Sequence, residues 1–321
     1  MPKKNFSGPP FVRCLILSSA SMLLFCSGFF VPPLGVAALI FSPTPLALLG
    51  ARENKAWMAL GLLGVALTLS LVFGLWFGLS FLFGYGLLCF GLTLPLGKLE
   101  KGSESLLFCV AASIICKVLF VAASVALTGS NPFELDLGAL RGMLHNVYAG
   151  MLREGGQEAA NLQESLDHAV ALVPYMLPFF IIVYSMFDSF MNYRLCEALQ
   201  RKRDVKFPPL PPFGEWRFPT SLLYVLVFAF ALPFIVEGDN GRLWVMLEYN
   251  LTFIVKFFFF LQGLALVWWM FSKLAARHFF PLPLRLVLIG LLSMPVLNMW
   301  IAALGFGDMC IDFRTKKIKR A

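Results

Sequence analysis

The chain has 321 residues, of which 59% are hydrophobic and only 14% charged, with 34 Phe and a formal net charge of +8. A soluble domain carries about 25% charged residues, and apolar runs of roughly 18 or more residues read as membrane spans, so a soluble globular protein is excluded. The basic residues cluster at the ends of apolar runs, which makes the positive charge a signature of membrane topology and not of nucleic-acid binding.

The predicted fold class is all-α, a polytopic transmembrane helix bundle of eight or nine spans. A β-barrel needs alternating strands of about ten residues, and runs such as "IVKFFFFLQGLALVWWM" do not alternate. The spans fall near 12–30, 33–50, 57–74, 75–97, 105–128, 170–194, 218–236, 249–272 and 285–305. The first, preceded by Lys3, Lys4 and Arg13, resembles a signal peptide but offers no small-x-small cleavage site, so it reads as an uncleaved span. The second is short and broken at Ser42–Pro45. The third and fourth share one long apolar run, with Gly74 and Gly78 at the spacing that lets helices approach closely. Seven cysteines, odd in number and without a CxxC pair, read as small packing residues.

With the N-terminus in the cytoplasm, the inner loops hold most of the Lys and Arg, and the outer loops before the tail hold only Arg141, Arg153 and Arg242. That asymmetry predicts a multi-pass membrane protein with a cytoplasmic N-terminus. Nine crossings place the basic tail on the opposite side from the other basic loops. Either the tail departs from the rule, or one segment, the one broken at Ser42–Pro45 or the one holding Pro295, does not cross.

The organisation expected is a six-span core over 1–199 with an external helical hairpin at 129–169, a basic, proline-rich cytoplasmic loop at 200–217, and C-terminal helices with a basic tail over 218–321. The hairpin reads as structural cover or as a gate. The loop "RKRDVKFPPLPPFGEWRFP" is a stiff interfacial connector, its prolines holding an extended chain and its basic residues meeting the anionic leaflet. Lys206, Pro209 and Pro212 also fit the pattern read by proline-binding domains, and with Trp216 and Arg217 they form the candidate surface for a cytoplasmic protein partner.

Charged side chains at bilayer depth are functional candidates by default. Lys117 and Asp188 lie on antiparallel spans, and a helical lysine reaches toward its helix N-terminus, here toward the level of Asp188. Tyr184, Asp188 and Asn192 share one face at i, i+4 spacing. Lys117, Tyr184, Asp188 and Asn192 are therefore the candidate ligand-binding set, with a purely structural ion pair as the equal alternative. Lys256 lies near a span end and reads as snorkelling, and Gln262 and Asn298 read as helix-to-helix bonding groups. Asp308 and Asp312 stand at i, i+4 in "GDMCIDFR" and could hold a cation, although a solvated tail is the simpler reading. The three histidines are scattered, and no HExxH, GxSxG or phosphate-cradling loop occurs, so neither an enzyme nor a cofactor is implied.

Three stretches, "GVAALIFSPTPLALLGARENKAWMALG" (35–61), "LPPFGEWRFP" (210–219) and "GFGDMCIDFR" (305–314), together resemble the YybS-like bacterial integral membrane proteins, a family of unknown biochemical function. The first stretch is also similar to the second and third helices of the substrate-capture (S) components of energy-coupling-factor transporters. That likeness implies an S-component-like six-helix core that binds a small molecule. S components often carry an Ala-x-x-x-Ala docking face on their first helix, and "CLILSSASMLLFCSG" has none.

Overall fold

The computed structural model describes residues 9–31, 34–129, 136–148, 156–200, 207–235, 242–277, 282–292 and 294–314. Every regular element among them is helical. Six helical stretches are long and apolar enough to cross a membrane, and three shorter apolar stretches, Ala37–Arg52, Ser221–Leu232 and Leu297–Ile311, accompany them. The chain is an all-α, multi-pass membrane bundle. Lys206 and residues 315–321 of the basic tail lie outside the described residues.

The chain divides into two compact units, Met1–Asp136 with Phe180–Leu210, and Leu137–Phe179 with Pro211–Ala321. The first contains α1 (Pro10–Phe30), α2 (Leu34–Ile40), α3 (Thr44–Arg52), α4 (Lys55–Phe73), α5 (Leu75–Phe81), a π-helical turn (Leu82–Gly86), α6 (Leu88–Thr93) and α7 (Gly102–Thr128). It also holds most of α10 (Leu177–Gln200).

Local chemistry explains the breaks. The turn Phe41–Pro43 interrupts the second apolar segment, and Pro45 sits in the first turn of α3, where its missing N–H costs nothing. Asn54 caps α4 by accepting from the Trp57 N–H at 2.9 Å. The long apolar run folds back at Gly74, whose φ of 97° is open to glycine and hostile to other residues. A Cβ on Gly78 would run into Ser70 and the Ala66 carbonyl, so α4 and α5 approach as closely as backbones allow. Phe25, Leu46, Met58, Leu69, Phe81, Leu92 and Tyr193 make the core of this unit. All seven cysteines are free thiols and five of them are buried.

The second unit contains α8 (Leu137–Val147), α9 (Gly156–Leu172) and a 3-10 turn (Val173–Met176) that leads into α10. After the 3-10 turn Phe213–Glu215 follow α11 (Ser221–Ile235), α12 (Arg242–Arg277), α13 (Leu282–Leu292) and α14 (Pro295–Ile311). Arg141 on α8 pairs with Asp167 on α9 at 2.7 Å. The last predicted span is broken: α13 ends at Leu292 and Pro295 opens α14. Helices α12 and α14 cross at Gly263 and Gly305. A side chain on Gly263 would strike the Ile301 carbonyl, and one on Gly305 the Phe259 carbonyl.

Candidate functional site

Lys117 on α7 and Asp188 on α10 meet. Lys117 Nζ donates to Asp188 Oδ2 at 2.6 Å, and the two residues are 3% and 1% exposed. Lys117 lies past the middle of α7, roughly 22 Å from its first residue at 1.5 Å per residue. An ion pair at such depth survives only when its remaining valences are filled. Ser113, one turn before Lys117, bridges the pair: its hydroxyl lies 2.5 Å from Lys117 Nζ and 3.1 and 3.2 Å from the two oxygens of Asp188. Ser189 donates to Asp188 Oδ1 at 3.3 Å. The Lys117 ammonium also sits 4.8 Å from the centre of the Tyr184 ring, a cation–π contact.

Two interrupted helices border this cluster. Asn192, one turn beyond Asp188, donates to the Ile40 carbonyl at the end of α2 at 2.9 Å and accepts from Thr44 Oγ1 at the start of α3 at 2.6 Å. A single amide thus satisfies backbone and side chain on both sides of the α2–α3 break. Ser21 of α1 donates to the Ser42 carbonyl within the same break. On the other side, the π-helical turn carries Tyr85, whose hydroxyl accepts from Tyr184 at 3.1 Å. Irregular backbone at membrane depth is tolerated only where protein buries it or where it lines a cavity, and π turns and broken helices frequently mark binding sites.

All four residues of the candidate ligand-binding set, Lys117, Tyr184, Asp188 and Asn192, therefore belong to one connected cluster. Ser113, Thr44, Ser189 and Tyr85 complete it and were not singled out from the sequence. Ser113 could have been found from its place one turn before Lys117. Tyr85 carried only the weak signal of a tyrosine between two glycines in an apolar run.

The described part of the basic, proline-rich loop, an elbow over 207–219, is packed. Phe207 and Leu210 are buried in the first unit, where Tyr193 donates to the Pro208 carbonyl at 2.8 Å. A Cβ on Gly102, the first residue of α7, would overlap the Pro208 and Pro209 carbonyls. Pro209, Pro212 and Arg217 are exposed, and Trp216 is half-buried with its indole N–H on the Pro211 carbonyl at 3.1 Å. Lys206, the first residue of the proline pattern, is outside the described region.

In the second unit, Gly214 packs against Trp268 and Trp269 of α12, and Arg314 bonds to the backbone of 214–216. Arg314 Nη1 donates to the Gly214 and Trp216 carbonyls at 2.6 and 2.9 Å, while Nη2 donates to Asp308 Oδ2 at 2.9 Å. Gln262 donates to the same carboxylate at 2.6 Å and accepts from the Phe218 N–H at 3.1 Å. The expectation of a solvated pair of carboxylates in the tail is corrected here. Asp308 is 4% exposed and neutralised by Arg314, and Asp312 pairs with Arg217 at 3.0 Å. Asp312 has a φ of 50°, a left-handed cap that turns the chain so that Arg314 faces back toward Asp308. Lys256 is exposed and lies over the Phe253 ring at 5.6 Å. Asn298 is exposed on α14, whereas Gln262 bonds between elements as expected.

A family model described as "Predicted membrane protein (DUF2232)" matches residues 19–309. The chain is 24% identical over 310 residues to "Uncharacterized protein YybS" of Bacillus subtilis (strain 168), covering 94% of this chain and 96% of that protein. No solved structure matches the chain. With the family model running through both units, from α1 to the end of α14, the chain belongs to the DUF2232 family of predicted membrane proteins, the YybS-like family.

Proposed function

We propose that the first unit binds a small polar solute and carries it across the membrane, with Lys117 and Asp188 as the charged groups that meet it. The observation that carries this reading is the position of the ion pair at two helix interruptions, the α2–α3 break and the π turn at Leu82–Gly86. A pair that served stability alone gains little from such neighbours, because an apolar pair of similar volume is often as stable. Many transporters build the site that binds and releases their solute beside broken helices. The sequence likeness of 35–61 to S components points the same way, and the missing Ala-x-x-x-Ala face argues for coupling other than through their usual ATPase module. The protein acts without covalent chemistry in this reading, and it resides in a bacterial inner membrane with its N-terminus inside.

The test is native mass spectrometry of gently purified protein. The wild type is expected to retain a small non-lipid molecule that the double variant Lys117→Met/Asp188→Asn, which leaves no unpaired charge in the core, releases while remaining folded and monodisperse. Retention unchanged in the double variant, or no adduct under any growth condition, contradicts the reading. A second reading, a scaffold that recruits a cytoplasmic protein through the elbow, draws on the exposure of Pro209 and Pro212. It is disfavoured by the carbonyls of Pro208 and Pro211 being engaged internally.

A further inference from the structure

Helix α10 turns its polar side inward. Every residue it buries carries a polar group or a thiol, from Ser185 through Asp188, Asn192 and Cys196 to Gln200. Helix α4, by contrast, buries Met58, Leu62, Val65 and Leu69. Asp188, Asn192, Cys196 and Gln200 follow one another at i, i+4, a single row with about 5–6 Å between neighbouring Cβ atoms. The row runs for roughly 18 Å at 1.5 Å per residue, from the ion pair to the last residue of the helix. Thr44 of α3 stands beside it, against Asn192 and the Cys196 thiol.

The row ends on an unsatisfied group. Gln200 is 0% exposed, and neither atom of its amide has a hydrogen-bond partner among the described residues. The same holds for the buried hydroxyl of Ser185, three residues before Asp188. A buried polar group left dry costs about 1–3 kcal/mol, and such groups are ordinarily met by buried water.

We infer that Asp188 takes up and releases a proton through a hydrated path along this face of α10, entering at Gln200. A proton from the water beyond the helix end adds to the Asp188 carboxylate, which becomes a neutral carboxyl. Lys117 keeps its ammonium charge, with the Ser113 hydroxyl at 2.5 Å and the Tyr184 ring at 4.8 Å. Release returns the proton along the row and restores the ion pair. The titratable groups facing Asp188 are Lys117, Cys109 and Cys116 of α7, Tyr85 of the π turn and Tyr184 of α10, and Lys117 is the charged one. Intramembrane carboxylates of this kind serve as proton carriers in pumps and transporters. Within the transport reading, on which this use of the proton rests, protonation frees Lys117 for an anionic group of the solute.

The experiment is infrared difference spectroscopy of the full-length protein in a lipid film, stepped from neutral to acid pH in H2O and in D2O. The wild type should gain the carbonyl band of a protonated carboxyl, shifted in D2O and missing from the double variant Lys117→Met/Asp188→Asn. Exchange of that carboxyl proton for deuterium should be about tenfold slower in Gln200→Leu, the rate effect of removing one hydrogen-bonding group from the path. Gln200→Ser keeps a polar group there and should exchange at the wild-type rate. Absence of the band at every pH at which the protein stays folded overturns the proposal. So does wild-type exchange in Gln200→Leu, which brings the proton by another route, and so does equal slowing in Gln200→Ser, which marks a packing effect. Melting midpoints within error of wild type establish that both Gln200 variants are folded. No solute takes part, so failure here leaves the solute reading to its own mass-spectrometric test.

Discussion

Asn192 and Thr44, 148 positions apart, share a buried 2.6 Å hydrogen bond that ties the α2–α3 break to the helix carrying Asp188. The same amide reaches the Ile40 carbonyl and so replaces the helical donor, the Thr44 N–H, that the break turns to the Phe41 carbonyl. Asn192→Leu strands both partners in the core, at about 1–3 kcal/mol for each unsatisfied group. The expected outcome is a clear drop in thermal midpoint followed by tryptophan fluorescence in detergent. Asn298→Leu, at an exposed position on α14, should leave the midpoint within error of wild type.

The Lys117–Asp188 pair should behave as a unit. Removing either partner leaves a buried charge unpaired, which costs about 3–5 kcal/mol, whereas removing both restores neutrality. Asp188→Asn and Lys117→Met are each expected to destabilise strongly, with the double variant much less damaged than the sum of the two. A thermal-unfolding cycle reads this directly. Additive losses contradict the contact, since residues that touch are expected to couple.

Arg314 holds the elbow to α12 and α14 through the fork of its guanidinium, which reaches Gly214, Trp216 and Asp308 together. A lysine has no such planar fork. Both Arg314→Lys and Arg314→Met should loosen the elbow, read as faster tryptic cleavage after Arg217 in limited proteolysis. Cleavage at the wild-type rate in Arg314→Met contradicts the latch.

The crossing of α12 and α14 depends on Gly263 and Gly305. Gly305→Ala pushes a methyl group into the Phe259 carbonyl and should cost about 1–3 kcal/mol, the usual range for overpacking. Gly64→Ala, where a Cβ meets open space on α4, should be neutral or stabilising by about 0.4–1 kcal/mol. The paired melting curves check both signs.

The bundle and its charged cluster were legible from the sequence for a physical reason. A charge inside hydrocarbon is so costly that two of opposite sign on antiparallel spans have few options other than each other. The break at Ser42–Pro45 was equally visible, because proline leaves a fixed mark on a helix. Hydroxyls gave no such signal. Ser113 and Thr44 stand in apolar runs where a serine or threonine is ordinary, and only contacts between distant segments give them a role. The two C-terminal motifs were read apart, as a loop and a tail, yet in the second unit Arg314 joins them. That link depends on the left-handed turn at Asp312, which sequence spacing alone does not reveal, and so Asp308 read as solvated when it is buried.

The claim that the buried cluster meets a solute is tested most directly by its accessibility. In a variant with the seven native cysteines replaced, Ser113→Cys places one thiol between Lys117 and Asp188. Sealed membrane vesicles of both orientations are then treated with a small charged methanethiosulfonate. The account predicts labelling of Cys at this position from at least one side of the membrane, slowed when Asn192→Leu disrupts the neighbouring break. Labelling seen only after denaturation, in vesicles of either orientation, would contradict it and leave Lys117 and Asp188 as a sealed structural pair.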